Sequence, residues 1–424
     1  MTIPIPYAQT HLNLEVPDAR VAAVLQSQAH HYQPSLSQEG LVQQALEHPI
    51  GAQRVSELSR GKDKVLVITS DHTRPVPSKV TLPILLREIR KGNPKAQIRI
   101  LIATGFHRLT TKAEMLDKFG ADIVDHEELV NHDSRDEAHM VFKGILPSGG
   151  ELWLNASVDW ADLVVSEGFI EPHFFAGYSG GRKSVLPGIA SQKTVLANHC
   201  SKFIADPRAR AGNLTDNPLH RDMLFAAEVA KLQFILNVVI DSEKHVIEAF
   251  AGHPEKAHAQ GCQFVQDLAS VKKVSADIVV TSNGGYPLDQ NIYQAVKGMT
   301  AGEVCVNPGG VLIMVAACND GHGGEEFYHW FQKAQSPQQV ADKIAQIAME
   351  DTVADQWEAQ ILARILLKCT VILVTDQCPA TLITDMHMRH ATTLEQALRM
   401  AEALVGAPSK ITVIPDGVSV IVLP

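Results

Sequence analysis

Lys64-Val65-Leu66-Val67-Ile68-Thr69-Ser70-Asp71-His72-Thr73-Arg74-Pro75 is the stretch that decides the architecture. Residues 65–70 form a short, β-branched run without polar alternation, as expected of a strand covered on both faces by helices. The run stops in a turn full of ionisable groups. Similar runs recur at 98–102, 163–166, 234–240, 278–281, 311–315, 371–374 and 411–414. Helical periodicity lies between them, most clearly at 393–404, where Thr392 and Glu395 have capping-box spacing. Residues 291–299 and 337–349 are further helical patterns. This alternation predicts an α/β protein with largely parallel or mixed sheets flanked by helices.

A chain of 424 residues exceeds one ordinary core, so two domains are expected. The polar stretch 270–277 is the best boundary, giving an N-terminal domain 1–272 and a C-terminal α/β domain 273–411. Residues 412–424 are a candidate return to the first domain. The active site is expected in the cleft between the two. Ligands of open α/β sheets bind beyond the carboxyl ends of strands. Here Ser70 leads into Asp71-His72-Thr73-Arg74, Ile102 into Gly105-Phe106-His107, Ser166 into 168–173, and Thr281 into Asn283-Gly284-Gly285.

The composition, 45% hydrophobic and 20% charged, is that of a globular protein. A net charge of −10 argues against a nucleic-acid surface, which needs basic residues to neutralise phosphates. The first residues carry no secretory pattern and no apolar run would span a bilayer, so no membrane association and a cytoplasmic location are expected. Six scattered cysteines, mostly in apolar surroundings, read as reduced buried thiols. Nineteen histidines favour proton or metal chemistry.

Gly177-Tyr178-Ser179-Gly180-Gly181-Arg182-Lys183-Ser184 is the densest chemical feature. Its glycines would let backbone N–H groups approach an anion, with Arg182 and Lys183 supplying charge. It nearly matches a triphosphate loop, but Arg182 stands where the last glycine must be. His107, His173 and His199 are candidates for proton handling or metal ligation, although a lone histidine is more often structural. Asp289 reads as the N-cap of a helix on which Tyr293 and Lys297 share a face bordered by Gln294, suiting a carboxylate and a hydroxyl. Asp71 and Arg74 lie within one turn of each other. His322, Glu325 and His329 offer three metal-binding side chains without the usual zinc spacing.

Residues 70–75, Ala103-Thr104-Gly105-Phe106-His107-Arg108, the run 167–191, Ala197-Asn198-His199 and 283–299 together resemble the nickel-pincer-nucleotide lactate racemase family. The resemblance spans essentially the whole chain. It implies an isomerase that interconverts L- and D-lactate, placing the cofactor and catalytic residues in the N-terminal domain. The implied cofactor is a pyridinium-3-thioamide-5-thiocarboxylic acid mononucleotide with nickel, covalently attached at Lys183 and ligated by His199. His107 and His173 correspond to paired acid/base histidines, and Asp71 to a cofactor contact. Arg74, Tyr293, Gln294, Lys297 and Trp357 correspond to substrate-lining positions.

Sulfur donors and imidazole suit Ni(II). A thioamide-linked lysine carries no charge, so phosphate binding would fall to N–H groups around Ser179, Gly180 and Gly181 and to Arg182 or another cation. The expected mechanism is hydride transfer from the substrate carbon to the pyridinium while one histidine takes the hydroxyl proton. Arg74 and Lys297 would hold the carboxylate. Expected partners are a small 2-hydroxy acid and the proteins that make the cofactor. The competing readings are a racemase of another short 2-hydroxy acid, a nucleotide-dependent phosphotransferase, and a non-catalytic nucleotide-binding protein.

Overall fold

The computed structural model describes residues 1–424, apart from the side chain of His30. The chain divides into two compact units, one of residues 28–199 and 206–268, the other of 1–27, 200–205 and 269–424. No helix among the described residues is long and apolar enough to cross a membrane.

The first unit is built on a six-stranded sheet in the order Val246–Gly252, Leu232–Ile240, Leu163–Phe169, Lys64–Ser70, Gln97–Ala103, Glu128–Asn131. All neighbours are parallel except the outer pair Leu232–Ile240 and Val246–Gly252. Val65 through Thr69 are all buried, so both faces of that strand are covered and the unbroken apolar run is explained. Helices Gln38–Glu47 and Ser78–Gly92 bury Leu41, Val42, Leu46, Leu82, Leu85 and Ile89 against strand residues Val65, Val67, Ile98 and Ile100. The parallel order places the turns after Ser70, Ala103 and Phe169 side by side at the carboxyl end of the sheet. That end carries the candidate site.

The second unit has a parallel sheet in the order Arg389–Ala391, Thr370–Val374, Val306–Val315, Ala276–Ser282, Ile411–Ile414, Val21–Val24. The turn after Ser282 therefore belongs to this sheet, separate from the other three strand-end turns. The expected return of 412–424 to the first domain does not occur. Ile411–Ile414 pairs with Ala276–Ser282, and Ile421–Leu423 pairs with Ser270–Lys272.

The first 27 residues also belong to this second unit rather than to an N-terminal domain. Thr2–Tyr7 and Thr10–Glu15 form a hairpin whose alternating residues Ile3, Ile5 and Leu14 pack on Ile278, Val280 and Ile313. Val21–Val24 then fills the sheet edge beside Ile411–Ile414. This placement follows from hydrophobic faces that find their partner far along the chain.

Two expected helix starts shift. Asn291, not Asp289, caps helix Ile292–Cys305, accepting from Gln294 N at 2.9 Å. Asp289 instead accepts from Ala8 N at 2.7 Å and Ala317 N at 3.1 Å, fastening the N-terminal hairpin. Helix Leu394–Val405 is capped by Thr393, while the Thr392 hydroxyl and N–H reach Gln396. All six cysteines are buried free thiols.

Candidate active site

The turn after Lys64–Ser70 is shaped by Asp71, which is 1% exposed. One carboxylate oxygen accepts from Thr73 N at 3.0 Å and Thr73 Oγ1 at 2.7 Å, closing an Asx turn. The other meets His107 Nδ1 at 2.7 Å. Burial works to raise the Asp71 pKa, but the His107 hydrogen bond and the charges of His107 and Arg74 prevail and bring it down to about 2. Asp71 is thus a fixed anion behind His107. It fixes the ring so that Nδ1–H donates to the carboxylate and Nε2 presents its lone pair outward. The sequence reading gave Asp71 a cofactor contact; in the structure its carboxylate engages His107 and Thr73.

His107 is carried by the adjacent turn after Gln97–Ala103, and its side chain is 40% exposed. Its N–H donates to Thr104 O at 2.9 Å. Gly105 has φ +56 and its N–H donates to Gly188 O at 3.0 Å, so the turn is tied to the segment that follows Lys183. Arg74 donates to Thr73 Oγ1 at 3.0 Å on the far side of the Asx turn.

The third turn folds Pro172–His173 against Gly177–Tyr178 as a tight antiparallel pair. Ala176 N donates to His173 Nδ1 at 3.2 Å, which leaves the neutral ring carrying its proton on Nε2. As neutral rings, His107 and His173 therefore sit in opposite tautomers, one with an accepting and one with a donating outer nitrogen.

Phe175, which the sequence reading overlooked, joins the remaining groups. Its ring centroid lies 4.6 Å from that of His173, 5.3 Å from that of His199, and 5.8 Å from Lys183 Nζ. Its only sequence signal was its place two residues after His173 in an aromatic pair. His199 closes helix Gln192–Asn198, is 5% exposed, and donates from Nδ1 to Val195 O at 2.9 Å. Burial first, and the nearby Lys183 charge second, bring its pKa down to about 3. His199 is consequently a neutral imidazole with its tautomer fixed and Nε2 free of a proton. That is the state a metal-ligating histidine requires, with the outer hydrogen bond already in place.

The glycine loop differs from expectation. Arg182 does not face an anion: it is 2% exposed and turned into the protein. Its guanidinium donates to Ala176 O at 2.7 Å, Tyr178 O at 2.8 Å, Gly180 O at 3.3 Å and the ring of His220 at 2.9 Å, with His258 Nε2 3.1 Å away. Burial lowers its pKa to about 10.

The His220 ring accepts and is kept neutral, brought down to about 3 by burial and then by the Arg182 charge, whereas His258 Nε2–H donates to Ser179 O at 2.7 Å and lies beside the guanidinium. Ser179 N donates to Glu171 O at 3.0 Å, Ser179 Oγ to Phe169 O at 2.9 Å, and Gly181 N to Asn237 Oδ1 at 2.7 Å. A Cβ on Gly180, at φ +73, would stand 2.8 Å from Phe169 O. These polar groups hold the loop together from inside, and the loop presents Lys183. They do not form a triphosphate cradle, and residues 181–184 form only a short 3-10 turn, which removes the structural basis for the phosphotransferase reading.

In the second unit, helix Ile292–Cys305 brings Tyr293, Gln294 and Lys297 together with Trp357 of helix Gln356–Lys368. Trp357 Nε1 donates to the Tyr293 oxygen at 3.0 Å, and Lys297 Nζ donates to Gln294 Oε1 at 2.6 Å. Tyr293 in turn donates to Asp355; burial first, then the charges of Glu358 and Asp355, raise its pKa well above 10.0. Asp355 and Glu358 were not singled out from sequence, because acids opening a helix read as solvated. His322 and His329 lie 3.6 Å and 3.9 Å from Glu325, and among the described residues no group of three or more His, Cys, Asp or Glu is arranged to hold a metal.

Parallel strands whose carboxyl-end turns carry His107 and His173 define an α/β protein with ionisable groups gathered at one end of a sheet. Residues 7–212 match the model of the lactate racemase N-terminal domain, and 271–422 that of the C-terminal domain. The chain is 58% identical over 420 residues to a lactate racemase of Thermoanaerobacterium thermosaccharolyticum, covering 99% of each chain. It is 52% identical over 422 residues to a lactate racemase of Lactiplantibacillus plantarum, covering 100% of each. The solved structure of the lactate racemase apoprotein from T. thermosaccharolyticum superposes with a TM-score of 0.97 at 57% identity, covering all of both chains. A Thermotoga maritima protein shares the fold alone, with a TM-score of 0.65 at 18% identity over 91% of this chain and 98% of that one. The chain belongs to the lactate racemase family.

Proposed function

We propose that this protein interconverts L- and D-lactate, with a nickel-pincer nucleotide attached at Lys183. The observation that carries the reading is the cluster of His173, Lys183 and His199 around Phe175, beside a His107 ring held by a buried carboxylate. The residues fit such a group. His199 is a preorganised nitrogen donor, its Nδ1–H held by Val195 O so that Nε2 is the atom that would meet nickel, and the cofactor's own sulfur and carbon atoms would supply the remaining donors. Lys183 provides the amine for the covalent link. When bound, the group supplies an electron-accepting ring that takes the substrate's α-hydrogen with its electron pair and gives it back.

The protein's task is then proton handling and orientation. The α-hydrogen of a 2-hydroxy acid is too weakly acidic for imidazole to remove as a proton. The proton that imidazole moves is that of the hydroxyl. His107 Nε2, with Asp71 behind it, accepts that proton, and the carboxylate stabilises the imidazolium that forms. His173 Nε2–H donates a hydrogen bond to the same oxygen from its own side; to return a proton it would act as the imidazolium, which requires Nδ1 to give up the hydrogen bond from Ala176 and take a proton. After the hydroxyl proton has moved to His107 and the proton from His173 has gone to the product, the two rings have exchanged charge states, so the opposite direction starts from the exchanged pair. Arg74, close enough to influence Asp71, offers a cation for the substrate carboxylate. Tyr293, Gln294, Lys297 and Trp357 form a face suited to a carboxylate and a hydroxyl. Lactate and the proteins that build the cofactor are the proposed partners.

The test is racemisation of each lactate enantiomer by protein made alongside its cofactor pathway, with nickel content and the mass of the Lys183 peptide measured on the same sample. Active, nickel-free protein with an unmodified Lys183 would overturn the cofactor assignment. Deuterium at C2 should stay largely on that carbon; rapid exchange with solvent would point to proton abstraction instead.

A further inference from the structure

The segment that carries Arg74 is poor in donors of its own. In Arg74-Pro75-Val76-Pro77 neither proline has an N–H, so the stretch cannot be held by a regular backbone ladder. Asp71 closes the turn in front of it through Thr73, and helix Ser78–Gly92 begins directly behind. The carbonyls between these two anchors must find their donor elsewhere in the fold.

Lys118, in the last turn of helix Lys112–Phe119, supplies it. A lysine at such a position ordinarily lies along its own helix's last carbonyls or in water. Lys118 is half-buried instead, and its ammonium donates to Arg74 O at 2.8 Å and reaches Val76 O at 3.5 Å. Burial lowers its pKa, with Glu167 and Asp71 pulling the other way. Hydrogen bonds from a charged donor are stronger than neutral ones, so one side chain fixes two residues of this stretch.

The same helix grips the neighbouring turn. Its Glu114 accepts from Arg108, the residue after His107, at 2.8 Å and from Thr111 N at 2.9 Å, and lies 3.9 Å from His72 Nε2. Helix Lys112–Phe119 is therefore tied to the turns after both Ser70 and Ala103, and Lys118 is the arm that reaches the Arg74 backbone. Arg74 itself is exposed, its guanidinium donating to Thr73 Oγ1. Where such a side chain points depends on the backbone beneath it, and a displacement of about 1 Å is enough to spoil its aim at a small anion.

We propose that Lys118 is a positioning residue for substrate binding: by holding the Arg74 and Val76 carbonyls it fixes the direction from which the Arg74 guanidinium meets the substrate carboxylate. This rests on the reading of Arg74 as the carboxylate's cation. The carboxylate is not altered by the reaction, so it is held equally in the ground state and the transition state. The effect therefore falls on KM rather than kcat.

The experiment compares cofactor-loaded wild type with K118M, K118R, R74A and the double variant K118M/R74A, measuring KM and kcat for L- and D-lactate. Amide hydrogen exchange of the 71–78 segment is followed on the same samples. K118M keeps the aliphatic stem and loses the donor; K118Q takes its place if that variant does not fold. Expected are a KM rise of about tenfold in K118M with kcat within about threefold of wild type. K118R keeps the charge and the N–H donors and should restore KM to within about threefold. Adding K118M to R74A should raise KM by less than about twofold, because the two act through one group. The 71–78 amides should exchange faster in K118M and at the wild-type rate in K118R. An unchanged KM in K118M, or the same rise with and without Arg74, would overturn the proposal. Equal exchange in wild type and K118M would do so independently of turnover. If R74A leaves KM unchanged, the reading of Arg74 fails and the proposal with it; if R74A raises KM and K118M does not, the proposal alone fails.

Discussion

Acid should unfold this protein through histidines that the fold keeps neutral, and His132 gives the cleanest measure of it. His132 is 0% exposed, donates from Nε2 to Ala190 O at 3.0 Å and accepts at Nδ1 from Asn155 Nδ2 at 3.2 Å. It thereby ties the segment after Lys183 to the sheet edge. Burial brings its pKa down from 6.5 to about 4. A group with a depressed folded pKa of this kind favours the folded state fully above 6.5, and that contribution is lost as the pH falls toward 4. Between pH 7 and pH 5 the unfolded chain takes up nearly a full proton that the folded ring refuses, a loss of about 1.8 kcal/mol.

His199 and His220, brought down to about 3, behave alike, and the three together lose about 5–6 kcal/mol. Glu358, with its pKa raised to about 8, gains about 2.5 kcal/mol over the same range and more than offsets one of them. The remainder is a large fraction of a typical stability of about 5–15 kcal/mol. His132→Gln isolates one histidine, because each protein is compared with itself at two pH values and the pH 7 cost of the substitution cancels. Urea unfolding followed by tryptophan fluorescence should show wild type losing about 1.8 kcal/mol more than the variant from pH 7 to pH 5. Equal losses would refute the reasoning.

Further expectations concern the site itself. His107→Gln should lower kcat for both enantiomers by about 10²–10⁴-fold, the usual worth of a positioned acid–base group, as read by polarimetry. Asp71→Asn should cost about 2 kcal/mol of stability at pH 7. Asp71's contribution is fully present above 3.8 and lost as pH falls through about 2, so it is wholly in force at pH 7. Lys183→Ala should leave the melting temperature within a few degrees of the apoprotein and eliminate the cofactor mass from its peptide. Gly181→Ala, at φ +52 with its Cβ 2.8 Å from the His258 ring, should lose about 1–3 kcal/mol in denaturant melts, and the loop should become protease-sensitive.

The eight sheet strands that sequence patterning marked are present because continuous apolar runs leave little choice: only a strand covered on both faces buries them. The elements it did not mark, such as Thr2–Tyr7, Val21–Val24 and Arg389–Ala391, are short or half-exposed. Their strand character comes from a neighbour rather than from their own composition. Asp289 shows the same limit. A cap was the best local reading, and the actual partners, Ala8 and Ala317, are distant in the chain.

By itself, then, the sequence determined the α/β class, the strand ends where chemistry gathers, and the residue types assembled there, because hydrophobic period and local turn chemistry are written in short windows. Tertiary structure alone decided what each polar group does. It turned Arg182 inward, set Asp71 behind His107, gave His107 and His173 opposite tautomers, and enclosed Glu358 without a hydrogen-bond partner. Charge state, tautomer and direction depend on burial and on partners remote in sequence, and those exist only once the chain has folded.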